Sequence, residues 1–272
     1  MKSLTQTLLT TSRASHDCWV IGHRGAAATC PENTLPSLIA ARDAGAVMIE
    51  FDVQQSADGE LVVFHDHTLE RLCREPHVAA SLSWEVLARK VVGHWQGQNV
   101  PMPHLSEVFA TLRRSVFYNV ELKTEVVHFP GIEEKLVAVI ARHGLAERVL
   151  ISSFYHESLR RIRQSSSDLA LGLLLSQEQA QRFSGPTGVV TYARKFDCFS
   201  LHPDFRLLRQ WPELVPACHE TDVRVFPWTV DSPGDWQFLV GELHVDGIIT
   251  NDPGRLYEWL LTRARVSSAG HG

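Results

Sequence analysis

Short apolar runs alternate with longer stretches of helical periodicity along this 272-residue chain. Apolar runs rich in β-branched residues predict strands, and a repeated strand-then-helix pattern predicts a parallel sheet. The nine predicted strands cover residues 19–22, 47–53, 61–64, 116–122, 148–152, 169–175, 197–201, 223–229 and 246–250. The predicted helices cover residues 33–44, 104–114, 132–143, 156–163, 176–183, 205–219, 233–240 and 253–263.

The second and third predicted strands are joined by a link that is too short for a parallel crossover. Asp58-Gly59 within this link is a turn signal, so we expect the third strand to fold back antiparallel. The other eight strands, each followed by a helical segment, predict an α/β fold, a closed (β/α)8 TIM barrel. Residues from about 67 to 103 lack the repeat and predict a small insertion after the second barrel strand.

Residues 18–265 are predicted to form a single barrel domain, because barrels of this length commonly fold as one unit. Residues 1–17 and 266–272 are predicted to be flexible termini. Insertions at the catalytic face of a barrel commonly shape the substrate entrance, which is our expectation for residues 67–103. A surface elaboration without a binding role is the alternative.

Composition narrows the class of protein. With 44% hydrophobic and 21% charged residues, the chain is typical of a soluble globular protein. A net charge of −5 with scattered Lys and Arg argues against a nucleic-acid partner. No apolar stretch approaches the roughly 20 residues of a membrane span. Five cysteines without a C-x-x-C pair, and an N-terminus without a signal-like apolar core, predict reduced thiols and a cytoplasmic location.

Polar clusters close several of the predicted strands. Glu50 and Asp52 lie two residues apart in one apolar run and therefore share a strand face, where two close carboxylates repel unless a proton or cation lies between them. His23, His65 and Glu121 stand at the ends of other strands. In a barrel these ends meet at the catalytic face. Three carboxylates without thiolate ligands predict one hard divalent cation, Mg²⁺ or Ca²⁺.

Such a cation indicates an anionic substrate, and two basic residues fit this interpretation. Arg24 offers a planar fork for phosphate oxygens, and Lys123 adds a point charge on the strand face of Glu121. A salt bridge to a local carboxylate is the alternative role for Lys123. His23 and His65 are candidates to divide the roles of acid and base, because imidazole titrates close to neutral pH.

Seven motifs, taken in order, resemble those of the glycerophosphodiester phosphodiesterases. They are HRG at 23–25, PENT at 31–34, GAVMIEFDVQ at 45–54, ADGELVVFHD at 57–66, NVELK at 119–123, WTV at 228–230 and VDGIITNDP at 245–253. The resemblance spans about residues 20 to 255 and implies a barrel with an inserted segment after the HD motif.

The resemblance also implies roles for matching residues. The implied metal ligands are Glu50, Asp52 and Glu121, the implied acid–base pair is His23 and His65, and the implied phosphate contacts are Arg24 and Lys123. The implied reaction is hydrolysis of a glycerophosphodiester to sn-glycerol 3-phosphate and an alcohol. Attack by water, or first by the glycerol 2-hydroxyl to form a cyclic phosphate, both stay open. We expect His65 to be the acid and His23 the base.

Other residues carry more than one interpretation. Glu32 is expected to approach the glycerol or the metal, or to stabilise a helix start, and Asn33 is expected to cap that helix. Trp228 is expected to wall the substrate pocket, with barrel core as the alternative. Asp66 is expected either to orient a neighbouring histidine or to end its strand. Asp231 stands where the resembled family commonly has Asn.

Two other functions compete with hydrolysis of a small diester. A lysophospholipase D or sphingomyelinase D-like lipase would require an exposed apolar rim or a membrane-binding segment, and neither is evident in the sequence. A catalytically silent barrel binding protein would be indicated by loss of a metal carboxylate or a histidine, and none is lost. Enolisation barrels lack the spacing from HRG to ENT. The sequence predicts no oligomeric state.

Overall fold

The computed structural model describes residues 18–127, 129 and 131–269. Its strands are β1 Trp19–Gly22, β2 Met48–Gln55, β3 Leu61–Val63, β4 Val91–Trp95, β5 Gln98–Pro101, β6 Phe117–Leu122, β7 Val149–Ser153, β8 Ala170–Leu175, β9 Ser200–Pro203, β10 Arg224–Val225 and β11 Gly247–Thr250. Eight of them pair in parallel in the order β10-β9-β8-β7-β6-β2-β1-β11. The predicted (β/α)8 TIM barrel is confirmed.

β10 and β11 complete the barrel through individual backbone hydrogen bonds. Asp246 N donates to Val225 O at 3.2 Å, and Ile249 N donates to Pro227 O at 3.0 Å. The predicted strand over 223–229 is longer than β10 because Pro227 has no N–H to give to the ladder. The extended path nevertheless continues to Trp228, whose N–H donates to Pro203 O at 3.1 Å.

β3 is the antiparallel strand that the short link predicts. It pairs with the end of β2 in the register Val53 to Val63, and Ser56 N donates to Glu60 O at 2.9 Å to close the turn. This hairpin carries the chain from the barrel into the following inserted segment and places His65 just beyond β3.

Helices lie between the strands. They are α1 Leu35–Asp43, α2 Glu70–Cys73, α3 Trp84–Leu87, α4 Leu105–Leu112, α5 Ile132–Arg142, α6 His156–Ser165, α7 Gln177–Ala180, α8 Pro186–Arg194, α9 Phe205–Gln210, α10 Leu214–His219, α11 Pro233–Trp236 and α12 Pro253–Ala269, with a 3₁₀ turn at Ala79–Ser81 and a π-helical turn at Gln237–Glu242. Of the predicted flexible termini, residues 1–17 and 270–272 lie outside the described residues, and α12 extends through 266–269.

Two helix predictions differ from the structure in how the chain is divided into helices. The single helix predicted over 205–219 is split into α9 and α10, because Trp211 precedes Pro212 and leaves the helical region with φ −127° and ψ 67°. The helix predicted over 176–183 shortens to α7, and the chain then forms α8, which the sequence analysis did not predict. Pro186 begins α8 at a position where a missing N–H costs nothing.

Apolar side chains fill the barrel below the catalytic end of the strands. The inner cluster consists of Trp19, Ile21, Met48, Phe117, Leu150, Ala170, Phe226 and Ile249. A larger cluster packs the outer faces of the strands against the helices. The segment between β3 and α4 has its own small core, which contains Val62, Phe64, Leu69, Ala79, Leu87, Val92 and Met102. Among the described residues, no helix is both long and apolar enough to cross a bilayer.

Candidate active site

Three carboxylates meet at the ends of β2 and β6. Asp52 on β2 is in register with Glu121 on β6, and Glu50 lies on the same face as Asp52 one inward position deeper. One ligand oxygen from each lies within 4.8 Å of the other two, and all three side chains are buried. The structure therefore brings together the three metal ligands that the sequence analysis expects.

The protonation of this cluster reflects burial and mutual repulsion. Burial, together with the charges of Asp52 and Glu121, raises the pKa of Glu50 well above its usual value. Burial likewise raises the pKa of Glu121 to about 7, although Lys123 opposes the shift. Burial also acts on Asp52, but the guanidinium of Arg24 and then Lys123 hold its pKa below the usual value. Without a cation, the three groups resist being charged together.

The cluster fits a divalent cation. Glu50 Oε1 is buried and has no hydrogen-bond partner among the described residues, as expected of an oxygen that is free to bind a metal. The donors are all carboxylate oxygens, which Mg²⁺ and Ca²⁺ prefer. The site therefore has both the vacant acceptor and the ligand chemistry that such an ion requires.

Asn33 fixes the orientation of Asp52. Its Nδ2 donates to Asp52 Oδ2 at 2.8 Å, and its Oδ1 accepts from Asp52 N at 3.2 Å. The expectation that Asn33 caps α1 is wrong, because Thr34 is the cap and accepts from Ser37 N. Asn33 instead has φ +56°, a left-handed conformation that aims its amide at the barrel rather than at the helix.

The HRG loop places Arg24 over two of the carboxylates. Arg24 N donates to Glu50 Oε2 at 2.8 Å, and its guanidinium Nε lies 3.3 Å from Asp52 Oδ2. Arg24 Nη1 donates to Glu32 Oε1 at 2.8 Å, so Glu32 binds the arginine that we expect to hold phosphate. Arg24 also has a positive φ of 50°, which is uncommon outside glycine and typical of strained functional loops.

Gly25 is required by the packing of this loop on α1. Its φ is +88°, and a Cβ there would lie 2.5 Å from the backbone carbon of Ser37. We expect Gly25→Ala to lower the free energy of unfolding by roughly 2–5 kcal/mol, from backbone strain and overpacking, and to lower activity by displacing Arg24. Urea unfolding measures the effect. Gly97→Ala is the matched control, because Gly97 has φ +78° but no atom within 4 Å of its Cβ position.

If Gly97→Ala lowered the free energy of unfolding as much as Gly25→Ala, backbone conformation alone, and not contact with α1, would explain the effect.

His23 is held as a neutral imidazole with one free nitrogen. Its Nδ1 lies 2.7 Å from Asn251 Oδ1, and Asn251 Nδ2 donates to Asp231 Oδ2 at 2.7 Å. Because Asp231 accepts from the Asn251 amide, Asn251 Oδ1 must face His23 and accept its Nδ1 hydrogen. Burial and the charge of Arg24 lower the pKa of His23 to about 4. Nε2, 4.0 Å from Glu50 Oε2, is therefore the nitrogen that carries the lone pair.

His65 is anchored from the inserted segment. Its Nδ1 lies 2.7 Å from Asp66 Oδ1, so Asp66 orients the histidine, as one of its two expected roles requires. Arg71 on α2 then binds Asp66 Oδ2 through Nε at 2.6 Å and Glu32 through both terminal nitrogens, at 2.6 and 2.9 Å. A continuous chain of charges thus links the ring of His65 to the guanidinium of Arg24.

Arg71 should influence catalysis through its neighbours. We expect Arg71→Met to lower kcat by about 10–100-fold, the usual cost of removing a partner that orients a catalytic group. The loss should be smaller for a p-nitrophenol leaving group than for an alkyl alcohol, because Arg71 acts through the histidine that would protonate the alcohol. Arg74→Met, an exposed change in the same segment, is the control. Equal losses with both leaving groups would contradict this role.

Lys123 forms the salt bridge that is the alternative role considered for it, and its role as a phosphate contact stays a prediction. Its Nζ lies 2.8 Å from Glu121 Oε1 and 2.7 Å from Glu125 Oε1, so it forms the local salt bridge. Despite burial, the charges of Glu121 and Asp52 raise its pKa well above its usual value, and it remains a cation beside the carboxylate cluster. Lys123 and His65 also line a shallow groove next to the main cavity, together with Glu125 and Phe129.

The main cavity has a volume of about 130 Å³. It is lined by His23, Arg24, Glu50, His65, Asn119, Glu121, Phe154, Leu174, Trp228, Thr229 and Ile249. Trp228 donates from Nε1 to His202 O at 2.8 Å and packs edge-on against Phe154, which places it in the wall of the cavity. Both histidines and two of the three cluster carboxylates therefore open onto the same space.

Four residues of the site have no predicted role in the sequence analysis. Asn119 and Asn251 stand inside motifs that it quoted, yet it gave neither a role of its own. Asp231 was noted only as a departure from the resembled family, and Arg71 was not noted. Each acts through a contact distant in sequence, so strand periodicity does not reveal it. The Asn119 position on the inward face of β6, two residues from Glu121, was the available signal.

Comparisons with known proteins identify the family of this chain. The model of the "Glycerophosphoryl diester phosphodiesterase family" matches residues 23–255. A glycerophosphodiester phosphodiesterase of Caldanaerobacter subterraneus subsp. tengcongensis is 37% identical over 242 residues, which cover 87% of this chain and 95% of that protein.

Two solved structures share the fold. A protein from Galdieria sulphuraria, described as a putative glycerophosphodiester phosphodiesterase, superposes with a TM-score of 0.79 at 28% identity and covers 89% of this chain and 97% of its own. An Oleispira antarctica phosphodiesterase in complex with the product sn-glycerol-3-phosphate superposes with a TM-score of 0.72 at 25% identity, covering 89% and 96%. With the family model matched over most of the barrel, the chain belongs to the glycerophosphoryl diester phosphodiesterase family and is an enzyme of that class.

Proposed function

We propose that this chain hydrolyses glycerophosphodiesters to sn-glycerol 3-phosphate and an alcohol, using one divalent cation, Mg²⁺ or Ca²⁺, and His23 and His65 as base and acid. The observation that carries the proposal is the shared cavity, because both imidazoles line it beside Glu50 and Glu121. The product seen in the Oleispira antarctica relative supports the same substrate class.

The chain's own charges suit a phosphodiester. Glu50, Asp52 and Glu121 would hold the cation, which when bound would offset negative charge on a phosphate oxygen. Arg24 contributes a guanidinium that Glu32 already holds in place. The backbone N–H of Arg24 also donates to Glu50, which fixes the loop that carries this side chain. Fixed donors of this kind lose little entropy when they bind the substrate.

We assign the role of base to His23 because one of its ring nitrogens keeps a free lone pair. Its low pKa keeps it neutral at neutral pH, and the bond of its Nδ1 to Asn251 leaves the Nε2 lone pair to accept a proton. The proton comes from the attacking oxygen, whether that oxygen belongs to water or to the glycerol 2-hydroxyl. The role of His23 is therefore the same on both routes.

His65 is the better acid. Asp66 accepts a hydrogen bond from its Nδ1 and fixes the orientation of the ring, so Nε2 is the nitrogen that would give its proton to the departing alcohol. The groove beside His65 provides space for that alcohol next to Glu125 and Phe129. His65 lines both this groove and the main cavity, which supports its proposed role as the acid for the leaving group.

The structure favours a small diester over a lipid substrate. Among the described residues, the exposed large apolar side chains are Val86 and Val126, and of these only Val126 lines the groove beside His65. One exposed valine is much less than the contiguous apolar patch of a lipid-binding surface. Five widely spaced cysteines without a C-x-x-C pair support a cytoplasmic location as part of this proposal.

A product assay tests the substrate class. Purified protein with Mg²⁺ or Ca²⁺ is given glycerophosphocholine or lysophosphatidylcholine, and phosphorus NMR identifies the products. We expect sn-glycerol 3-phosphate from the first substrate and at least 100-fold slower turnover of the second. A 100-fold difference corresponds to about 2.7 kcal/mol of lost transition-state stabilisation. Faster turnover of the lysolipid would favour the lipase instead.

A further inference from the structure

An amide on the inner wall of the cavity has no hydrogen-bond partner. Asn119 stands on β6 in register with Glu50, one inward position deeper than Glu121. Its side chain lines the cavity although the residue is only 1% exposed. Its Nδ2 is buried and unpaired within the described part of the chain. Buried amide hydrogens rarely lack an acceptor, so this atom indicates the position of a ligand atom.

The surroundings hold this amide in place and leave one end free. Ser152 Oγ on β7 donates to Asn119 Oδ1 at 2.8 Å, which occupies the oxygen and leaves the nitrogen for the cavity. The neighbouring wall is apolar, with Leu174 and Ile249 beside it. Below lies the inner cluster that includes Leu150, Met48 and Phe117. Asn119 thus presents a hydrogen-bonding group between Glu50, its partner in register on β2, and the apolar side chains at the inner end of the cavity.

Distances along the barrel match the length of a glycerol phosphate. Two residues of β6 separate Glu121 from Asn119, roughly 6–7 Å along the strand. Five single bonds separate the phosphorus of glycerol 3-phosphate from its terminal hydroxyl oxygen, and an extended chain of five bonds spans roughly 6 Å. A phosphate at the level of Glu121 and Asp52, the outer part of the cluster, therefore brings the terminal hydroxyl to the level of Asn119. A hydroxyl pairs with either end of an amide, since it both donates and accepts.

We propose that Asn119 binds the terminal hydroxyl of the glycerol group and thereby selects diesters whose glycerol is not acylated. The inference rests on the proposed function, because it assigns the inner end of the same cavity. An acyl ester at this position removes the hydroxyl hydrogen and directs a long chain toward the apolar floor of the barrel. Selection then follows from one hydrogen bond together with a closed end.

Two substrates that differ by this one hydroxyl test the inference. They are glycerophosphocholine and the phosphocholine ester of 1,2-propanediol, which lacks the terminal hydroxyl but keeps the 2-hydroxyl. Metal-loaded wild type, Asn119→Ala and the exposed control Asn99→Ala are compared by kcat/KM on both substrates. We expect wild type and the control to prefer glycerophosphocholine by about 10–100-fold, the usual discrimination by a buried polar group left unpaired. Asn119→Ala should bring this preference to within about threefold, by losing activity on the glycerol substrate alone.

Equal losses of Asn119→Ala on both substrates would overturn the inference, since a structural role or a bound water would produce that result. A wild-type preference below about threefold would overturn it without any variant, whether or not Asn119→Ala folds. Wild type inactive on both substrates would instead reject the proposed function, and this inference with it.

Discussion

Glu50→Gln should abolish metal-dependent turnover and, at the same time, make the metal-free protein more stable at alkaline pH. The glutamine amide is close in size to the Glu50 carboxylate, and its oxygen can still accept a hydrogen bond from Arg24 N. The contact between residue 50 and the HRG loop is therefore kept. The amide cannot serve as an anionic ligand, however, and we expect activity to fall by at least about 100-fold. Thermal shift with and without Mg²⁺ or Ca²⁺ should show metal-induced stabilisation in the wild type and none in the variant.

The stability gain has a defined pH dependence. The pKa of Glu50 is raised in the folded state, so the folded protein binds more protons than the unfolded chain above about pH 4.5, the ordinary pKa of this carboxyl. The metal-free wild type therefore loses stability as pH rises from there through the raised pKa, by up to about 1.4 kcal/mol per pH unit from this group. Glu50→Gln lacks this titration, so its stability should fall less over the same range.

Glu85→Gln is the matched control, because Glu85 is 78% exposed and pairs only with Arg89 among the ion pairs of the described residues. It should change neither metal response nor activity. If Glu50→Gln kept its metal-induced stabilisation, or if its metal-free stability followed the wild-type pH curve, the buried carboxylate cluster would not be the cation site.

His65→Ala should lower kcat on glycerophosphocholine by about 10²–10⁴-fold, the usual contribution of a general acid. The loss should shrink to less than about tenfold on a substrate whose leaving group is p-nitrophenol, because that anion departs without a proton. His23→Ala should reduce both reactions, since the attacking oxygen must lose its proton in either case. Comparing the four kcat values assigns acid and base.

The exposed His94 on β4 provides the control, and His94→Ala should leave both reactions unchanged. Two outcomes would oppose the assignment. A loss for His65→Ala that is independent of the leaving group would give His65 another role, and a leaving-group-dependent loss for His23→Ala would exchange the two.

The barrel and its carboxylate cluster were predictable because both follow from local rules. Alternation along a strand puts Glu50 and Asp52 on one face, and parallel strands bring their carboxyl ends to one edge, where Glu121 joins them. The break before Pro212 also follows from a local rule, the restriction on a residue that precedes proline, which the helical pattern over 205–219 overrode in our prediction.

The residues that orient the site were not predictable in the same way. Asn33 reaches Asp52 only because it adopts a left-handed conformation, and Arg71 reaches Asp66 and Glu32 only after the inserted segment has folded against the barrel. Asp231 turns Asn251 toward His23 across two neighbouring strand ends. Such contacts depend on tertiary positions that no periodicity in the sequence encodes.

The most direct test of the account is release of sn-glycerol 3-phosphate from glycerophosphocholine by purified protein treated with EDTA, before and after Mg²⁺ or Ca²⁺ is restored. We expect negligible turnover without the ion, recovery with it, and no recovery in Glu50→Gln. Turnover that persists in EDTA in a protein shown to contain no metal would contradict the central claim that a divalent cation at Glu50, Asp52 and Glu121 is required for hydrolysis.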